Sequence, residues 1–156
     1  MKNVLKITAP LLAVFVLGSA SAALTKYKTS FQDNGAAAVE GEISYTPTEG
    51  GKKTKTSAIE SFIGSPKEIV ATLDQPWKGE SDLAAITSAE NCASQGGTLE
   101  NVTVKAGTFK ACKVHSVSSG VEITKWTGAV APTGLLRMDV NKKGGHTREE
   151  LTEYAQ

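Results

Sequence analysis

The chain has 156 residues, with 17 lysines and arginines against 16 aspartates and glutamates and a formal charge of +1. A balance this close to neutral, with acids and bases interspersed, argues against nucleic acid or an anionic membrane surface as the main partner. The length suits one domain built around one core.

At the N-terminus, Lys2 and Lys6 precede an apolar run that ends in Ala20-Ser21-Ala22. A basic start, an apolar middle and small residues at the end make up the layout of a secretory signal peptide. Cleavage is expected between Ala22 and Ala23, which leaves a signal peptide at 1–22 and a single exported β-rich domain at 23–156. Pro10, Gly18 and the flanking serines keep the run short of the roughly 20 apolar residues that cross a bilayer, so the mature chain is not read as membrane-spanning. No cysteine lies near the cleavage site to accept a lipid. The expected location is therefore the periplasm or the extracellular space, without a lipid anchor. Loss of Lys2 and Lys6 takes the formal charge from +1 to −1.

Beyond Ala23, period-two alternation is commoner than helical spacing. Asn34-Gly35 is a strong two-residue hairpin signal. In the "AVEGEISYTP" segment that follows, Val39, Ile43 and Tyr45 share one parity and Glu40, Glu42, Ser44 and Thr46 the other, the pattern of a half-solvated antiparallel strand. "PTEGGKK" supplies the next turn. "KTKTSAIESFIG" reads as a strand with Thr54 and Thr56 on one parity, although Ile59, Phe62 and Ile63 also suit a helical turn. The segment from Ser81 to Gly97 differs: Ser81 can cap a helix, Asp82 favours its positive end, alanines fill the middle and Gly96-Gly97 can stop it. The expected helix covers Leu83 to Cys92.

Strands are then expected over "TLENVTVK" and "TFKACKVHSVSS", joined by a tight turn at Ala106-Gly107, where glycine supplies the positive φ that a hairpin needs. "VEITKW" follows Ser119-Gly120, and "LLRMDVN" follows Pro132 and Gly134. In the latter, Leu136, Met138 and Val140 face one way, with Arg137 and Asp139 the other. For "HTREELTEYAQ" propensity favours helix, while an edge strand would put Leu151 and Tyr154 on opposite faces. Together these readings give a mainly β chain, a single antiparallel sheet with one or two short helices.

Cys92 and Cys112 are the only cysteines. An even pair in an exported chain is most simply a disulfide, here one that ties the end of the helix to the second strand of the hairpin.

"VTVKAGTFKACKV" resembles the Val-Pro-Ala-Gly-Thr-Phe hallmark of a family of exported bacterial domains of unknown function, with Lys105 standing where the family has proline. "KWTGAVAPTGLLRMDV" resembles that family's later Trp, Gly-Leu and Lys or Arg segment, and "EELTEY" resembles its closing strand. The resemblance implies a strongly curved sheet or open half barrel, related in shape to periplasmic lipoprotein carriers, and no established activity.

Chemistry-bearing constellations are sparse. Hydrolysis needs a nucleophile, a base and an orienting acid, and only His115 and His146 could serve as the imidazole. There is no nucleophile elbow, zinc-protease helix or phosphate loop. Cys112 and His115 lie three apart, on opposite faces of a strand, and no metal site or cofactor is expected. Trp77 follows a proline in a loop, and Trp126 closes a strand. Both are candidates to line a ligand pocket, with burial in the core as the commoner use. The expected function is a non-enzymatic envelope protein that binds a lipid-like or other hydrophobic molecule on a concave sheet. The alternatives are a structural or assembly factor that contacts an envelope protein through a strand edge, and a small hydrolase.

Overall fold

A computed structural model describes residues 23–33, 38–60 and 67–155. The expected signal peptide with its Ala22/Ala23 junction, the Asn34-Gly35 turn and the Phe62-Ile63 pair lie outside the described residues.

Among the described residues, local alternation and tight turns produce nine strands: β1 (Leu24–Asp33), β2 (Val39–Thr48), β3 (Lys53–Glu60), β4 (Lys67–Leu73), β5 (Thr98–Val104), β6 (Gly107–Ser118), β7 (Val121–Thr127), β8 (Leu135–Lys142) and β9 (Gly145–Ala155). They form one antiparallel sheet in the order β4-β3-β2-β1-β9-β8-β7-β6-β5, so the two terminal strands meet at its middle and the sheet keeps two edges. Between β4 and β5 lie the helical pieces α1 (Glu80–Leu83) and α2 (Ala89–Ser94), separated by a 3-10 turn at Ala84–Thr87.

Turn chemistry accounts for the hairpins. Ser119 (φ 51) and Gly120 (φ 76) both take the left-handed conformation, which matches the twist of the flanking β6 and β7. The β5–β6 turn sits one residue earlier than the Ala106-Gly107 expected from the sequence. Its central residues are Lys105 and Ala106, because the positive φ of 142° falls on Gly107, which already pairs with Val104.

The helical segment also departs from expectation. It begins at Glu80 rather than after a Ser81 cap, since the backbone N–H of Gly79 donates to the Asp82 carboxylate at 2.9 Å. It restarts at α2, where Ser88 Oγ accepts from the Asn91 N–H at 3.2 Å. Ser88 is extended (φ −74°, ψ 145°), so a continuous helix from Leu83 to Cys92 cannot form.

The C-terminal segment is neither helix nor edge. β9 is central, paired with β1 on one side and β8 on the other. A β-bulge leaves Thr152 without an opposite number, because Tyr27 pairs with Leu151 while Lys26 pairs with Glu153. The extra residue places Leu151 and Tyr154 on the same face, where strict alternation would separate them. A second bulge, between the pairs Trp126–Arg137 and Thr127–Leu135, lets both Leu135 (9% exposed) and Leu136 (0%) be buried.

The sheet curls without closing. The β5–β6 turn comes back to the middle strand, where the Ala106 N–H donates to the Leu151 carbonyl at 3.3 Å. Tyr27, Val102, Val104, Ala111, Trp126, Val130, Leu135, Leu136 and Leu151 form one core cluster.

Candidate functional site

Register divides the sheet into two faces. Thr25, Tyr27, Ile43, Tyr45, Thr54, Leu73, Cys112 and Ile123 share one, and Lys113, Trp126, Arg137, Asp139 and Arg148 share the other.

The first face is covered at one end by the helical segment and the 128–134 loop. Cys92 Sγ lies at bonding distance, 2.04 Å, from Cys112 Sγ, and this bond fixes α2 over β6. Gly97 packs directly on the bridge: a Cβ there would come within 2.7 Å of Cys112 Sγ and 2.9 Å of both Cys92 Sγ and the Lys113 carbonyl. The loop is held by buried β1 side chains. Thr25 Oγ1 donates to the Ala131 carbonyl at 2.6 Å, and the Tyr27 hydroxyl donates to the Leu135 carbonyl at 2.9 Å. Burial pushes the Tyr27 phenol well above its ordinary range, so it stays a neutral donor.

Trp126 is a core residue. It is 9% exposed, its indole N–H donates to Glu100 Oε1 at 2.7 Å, and its ring lies between Lys113 Nζ (5.4 Å from the ring centre) and the Arg137 guanidinium (5.0 Å). Next to it, Asp139 accepts from Arg137 Nε and Nη2 (3.0 and 2.6 Å) and from Arg148 Nε (2.7 Å). Burial alone would raise the Asp139 pKa, but these hydrogen bonds and charges outweigh it and hold the carboxyl below the usual range.

Where the cover ends, a cleft of about 410 Å³ opens. Tyr45, Thr54 and Leu73 of the sheet line its floor, Gln75, Pro76 and Lys78 one wall, and Leu83, Pro132 and Thr133 the other. Trp77 is not part of this lining; its backbone N–H donates to the Gly51 carbonyl at 2.9 Å, which ties the loop after β4 to the β2–β3 turn. Trp126, in the core cluster, does not line this cleft either.

The cleft begins at the edge of the sheet. Among the described residues no strand pairs with the outer side of β4, and Ile69 (45% exposed), Val70 (52%) and Leu73 (38%) stand open to solvent there. This edge was missed by reading alternation alone. "KEIVATL" puts Ile69, Val70 and Ala71 in succession, so no parity emerges, although a short β-branched run after Pro66 is a strand signal in itself. The opposite edge, β5, buries Val102 and Val104 inside the curl.

His115 Nδ1 lies 3.0 Å from Thr124 Oγ1 on exposed strand surface, and His146 Nε2 of β9 lies 3.8 Å from Asp139 Oδ1 of β8. Among the described residues, no group of three or more His, Cys, Asp or Glu side chains is placed to hold a metal, and no helix is long and apolar enough to cross a membrane.

No protein-family model and no curated protein matches the chain. Among solved structures, a chain in the complex structure of Pseudomonas aeruginosa MucA/MucB is similar, with a TM-score of 0.43 and 16% identity over 85% of this chain. The match spans 51% of that chain's length, about half.

Proposed function

We propose that the chain is exported and acts as a non-enzymatic envelope protein that holds a protein partner by strand addition along β4. The β4 edge, which no strand pairs with among the described residues and where Ile69, Val70 and Leu73 are exposed, is the observation that carries this reading. An open edge presents a row of free backbone donors and acceptors, and natural sheets usually blunt such edges with proline, inward charges or a bulge. β4 has none of these between Ile69 and Leu73. An extended segment of another chain satisfies those groups and covers the apolar side chains at the same time. The Cys92–Cys112 bond supports an oxidising compartment, as does the signal-like N-terminus.

A hydrophobic-ligand carrier needs an empty apolar interior, whereas the curl of this sheet is filled by Val102, Val104, Trp126, Leu136 and Leu151. The 410 Å³ cleft is the observation that favours a small hydrophobic ligand as a second reading, since its volume falls in the range of small-molecule sites.

A photo-crosslinking residue placed at Val70, compared with one at the still more exposed Val117 of β6, tests the proposal in intact cells. The expected result is one defined protein adduct from position 70, absent from position 117 and lost on adding Ile69→Asp. Equal labelling from both positions, or a native mass spectrum in which the purified protein carries a stoichiometric small molecule and no protein adduct forms, would overturn it.

A further inference from the structure

The two halves of the helical segment between β4 and β5 are fastened to the sheet by different means. The first half, through Thr87, is held by packing and a hydrogen bond. Leu83 is 7% exposed, Ile86 Cδ1 lies so close to Gly134 that a Cβ there would come within 2.8 Å of it, and the Tyr154 hydroxyl donates to Glu80 Oε1 at 3.2 Å. The second half, Ser88 to Gly96, buries one side chain, Cys92 (1% exposed). Among the described residues its hydrogen bonds all close within the segment: the Cys92 N–H donates to the Ser88 carbonyl at 3.1 Å, Asn91 Nδ2 to the Ala85 carbonyl at 2.9 Å, and the Gly97 N–H to the Cys92 carbonyl at 2.9 Å. Among the same residues no ion pair joins it to a strand. The bond from Cys92 to Cys112 is thus what holds α2, a helix of six residues with little stability of its own, to β6. The backbone offers a hinge on either side, at the extended Ser88 and at Gly96 (φ 70) with Gly97.

We infer that α2 is a redox-sensitive flap: pinned on β6 while the bridge is intact, and free to swing off the sheet about Ser88 once the bridge is reduced, with α1 and the strands left in place. The inference is independent of strand addition at β4. The reductant is a dithiol. One of its thiolates attacks a bridge sulfur to form a mixed disulfide, and its second thiol displaces that sulfur. The dithiol ends as a disulfide, its two electrons and two protons going to Cys92 and Cys112, which become thiols. Both sulfurs belong to buried residues, and the partly exposed Gly97 lies directly against them. Opening of this short segment, with no strand displaced, therefore admits the attacking thiolate. The lifted flap uncovers Cys112 and withdraws Gln95 from the hollow of about 170 Å³ that it forms with Val114, Ser116, Ile123, Lys125 and Thr127 over β6 and β7.

Amide exchange of the purified protein, before and after dithiothreitol is added in native buffer, tests this, with the state of the bridge read by mass after iodoacetamide trapping. Dithiothreitol should reduce the folded protein. The amides of Cys92, Gln95, Gly96 and Gly97 should then exchange about a hundredfold faster, the ratio matching what a bridge across a loop of this length contributes. Those of β1, β8 and β9 should keep their protection, and oxidised glutathione should restore the slow exchange. Leu83→Ala in the oxidised protein is the control: it should loosen the amides from Leu83 to Thr87 and leave those from Cys92 to Gly97 unchanged. Three results would each overturn the inference: unchanged exchange from Cys92 to Gly97 on reduction, loosening of α2 by Leu83→Ala as large as by dithiothreitol, or reduction that proceeds only as β1, β8 and β9 lose protection. The last would make the bridge a bond of the global fold alone.

Discussion

Asp139 and Glu149 show how two carboxylates on one pair of strands come to be shifted in opposite directions. Asp139 is 8% exposed and receives three hydrogen bonds from Arg137 and Arg148, so its charged form is favoured in the folded protein. Its contribution to stability is present above the ordinary carboxylate range and is lost as pH falls through its lowered value. Asp139→Asn should cost about 1–3 kcal/mol at neutral pH, the scale of hydrogen bonds to charged groups, and the deficit should shrink in acid; urea unfolding at several pH values measures both. Glu149 pairs with Met138 on one side and Thr29 on the other, where burial raises its pKa and Lys125 only partly offsets the rise. The sign is reversed: its contribution is present below the ordinary range and lost as pH rises through the raised value. Glu149→Gln should therefore raise the melting temperature at neutral pH and change nothing at a pH where the carboxyl is already protonated.

At the level of elements, what could be read from the sequence was whatever depends on near neighbours. The alternation of Ile43 and Tyr45, the Ser119-Gly120 turn and the stop at Gly96 (φ 70) all express local backbone geometry. Two kinds of feature escaped. Bulges such as the one at Thr152 exist only in relation to a partner strand, so the facing of Leu151 and Tyr154 is set by β1 and cannot be read from β9 itself. Edge status is equally relational, which is why β4 passed unnoticed and why Trp77, next to the cleft in sequence, does not line it. The helical segment was recognisable by composition, but its break at Ser88 follows from a competing cap in mid-segment. Such short pieces, four and six residues long, have little intrinsic stability and depend on what fastens them. Removing the bridge with paired Cys92→Ser and Cys112→Ser should lower unfolding free energy by roughly 3 kcal/mol for a loop of this length, with the sheet retained in the circular dichroism spectrum. A loss well under 1 kcal/mol would mean that Leu83 and the 128–134 loop hold the segment without it.

Across the whole molecule, burial is distributed unevenly, and this asymmetry bears on the proposed function. The core cluster draws on β1, β5 to β9 and the loop at Val130, while β2 supplies only the half-buried Ile43 and Tyr45 against it. In β3, Thr54 is buried, held by its hydroxyl bond to the Gln75 carbonyl; from Glu68 to Leu73, β4 adds nothing to the buried set and exposes its apolar side chains. Segments with few buried apolar contacts and solvent-exposed ladders open at lower cost than the global unfolding energy. Native-state amide exchange should thus show two tiers: β1, β8 and β9 exchanging only through global unfolding, and the β3–β4 wing opening on its own at a cost lower by a few kcal/mol. Binding of a strand to β4 would satisfy the free edge and cover Ile69 and Val70, so the wing's amides should slow towards the core's while the core's remain unchanged. That pattern distinguishes docking at the edge from binding elsewhere on the sheet. Uniform exchange across all nine strands in the free protein would show the wing to be as well fastened as the core, and a partner that slowed β5 and β6 in place of β3 and β4 would move the interface to the other edge.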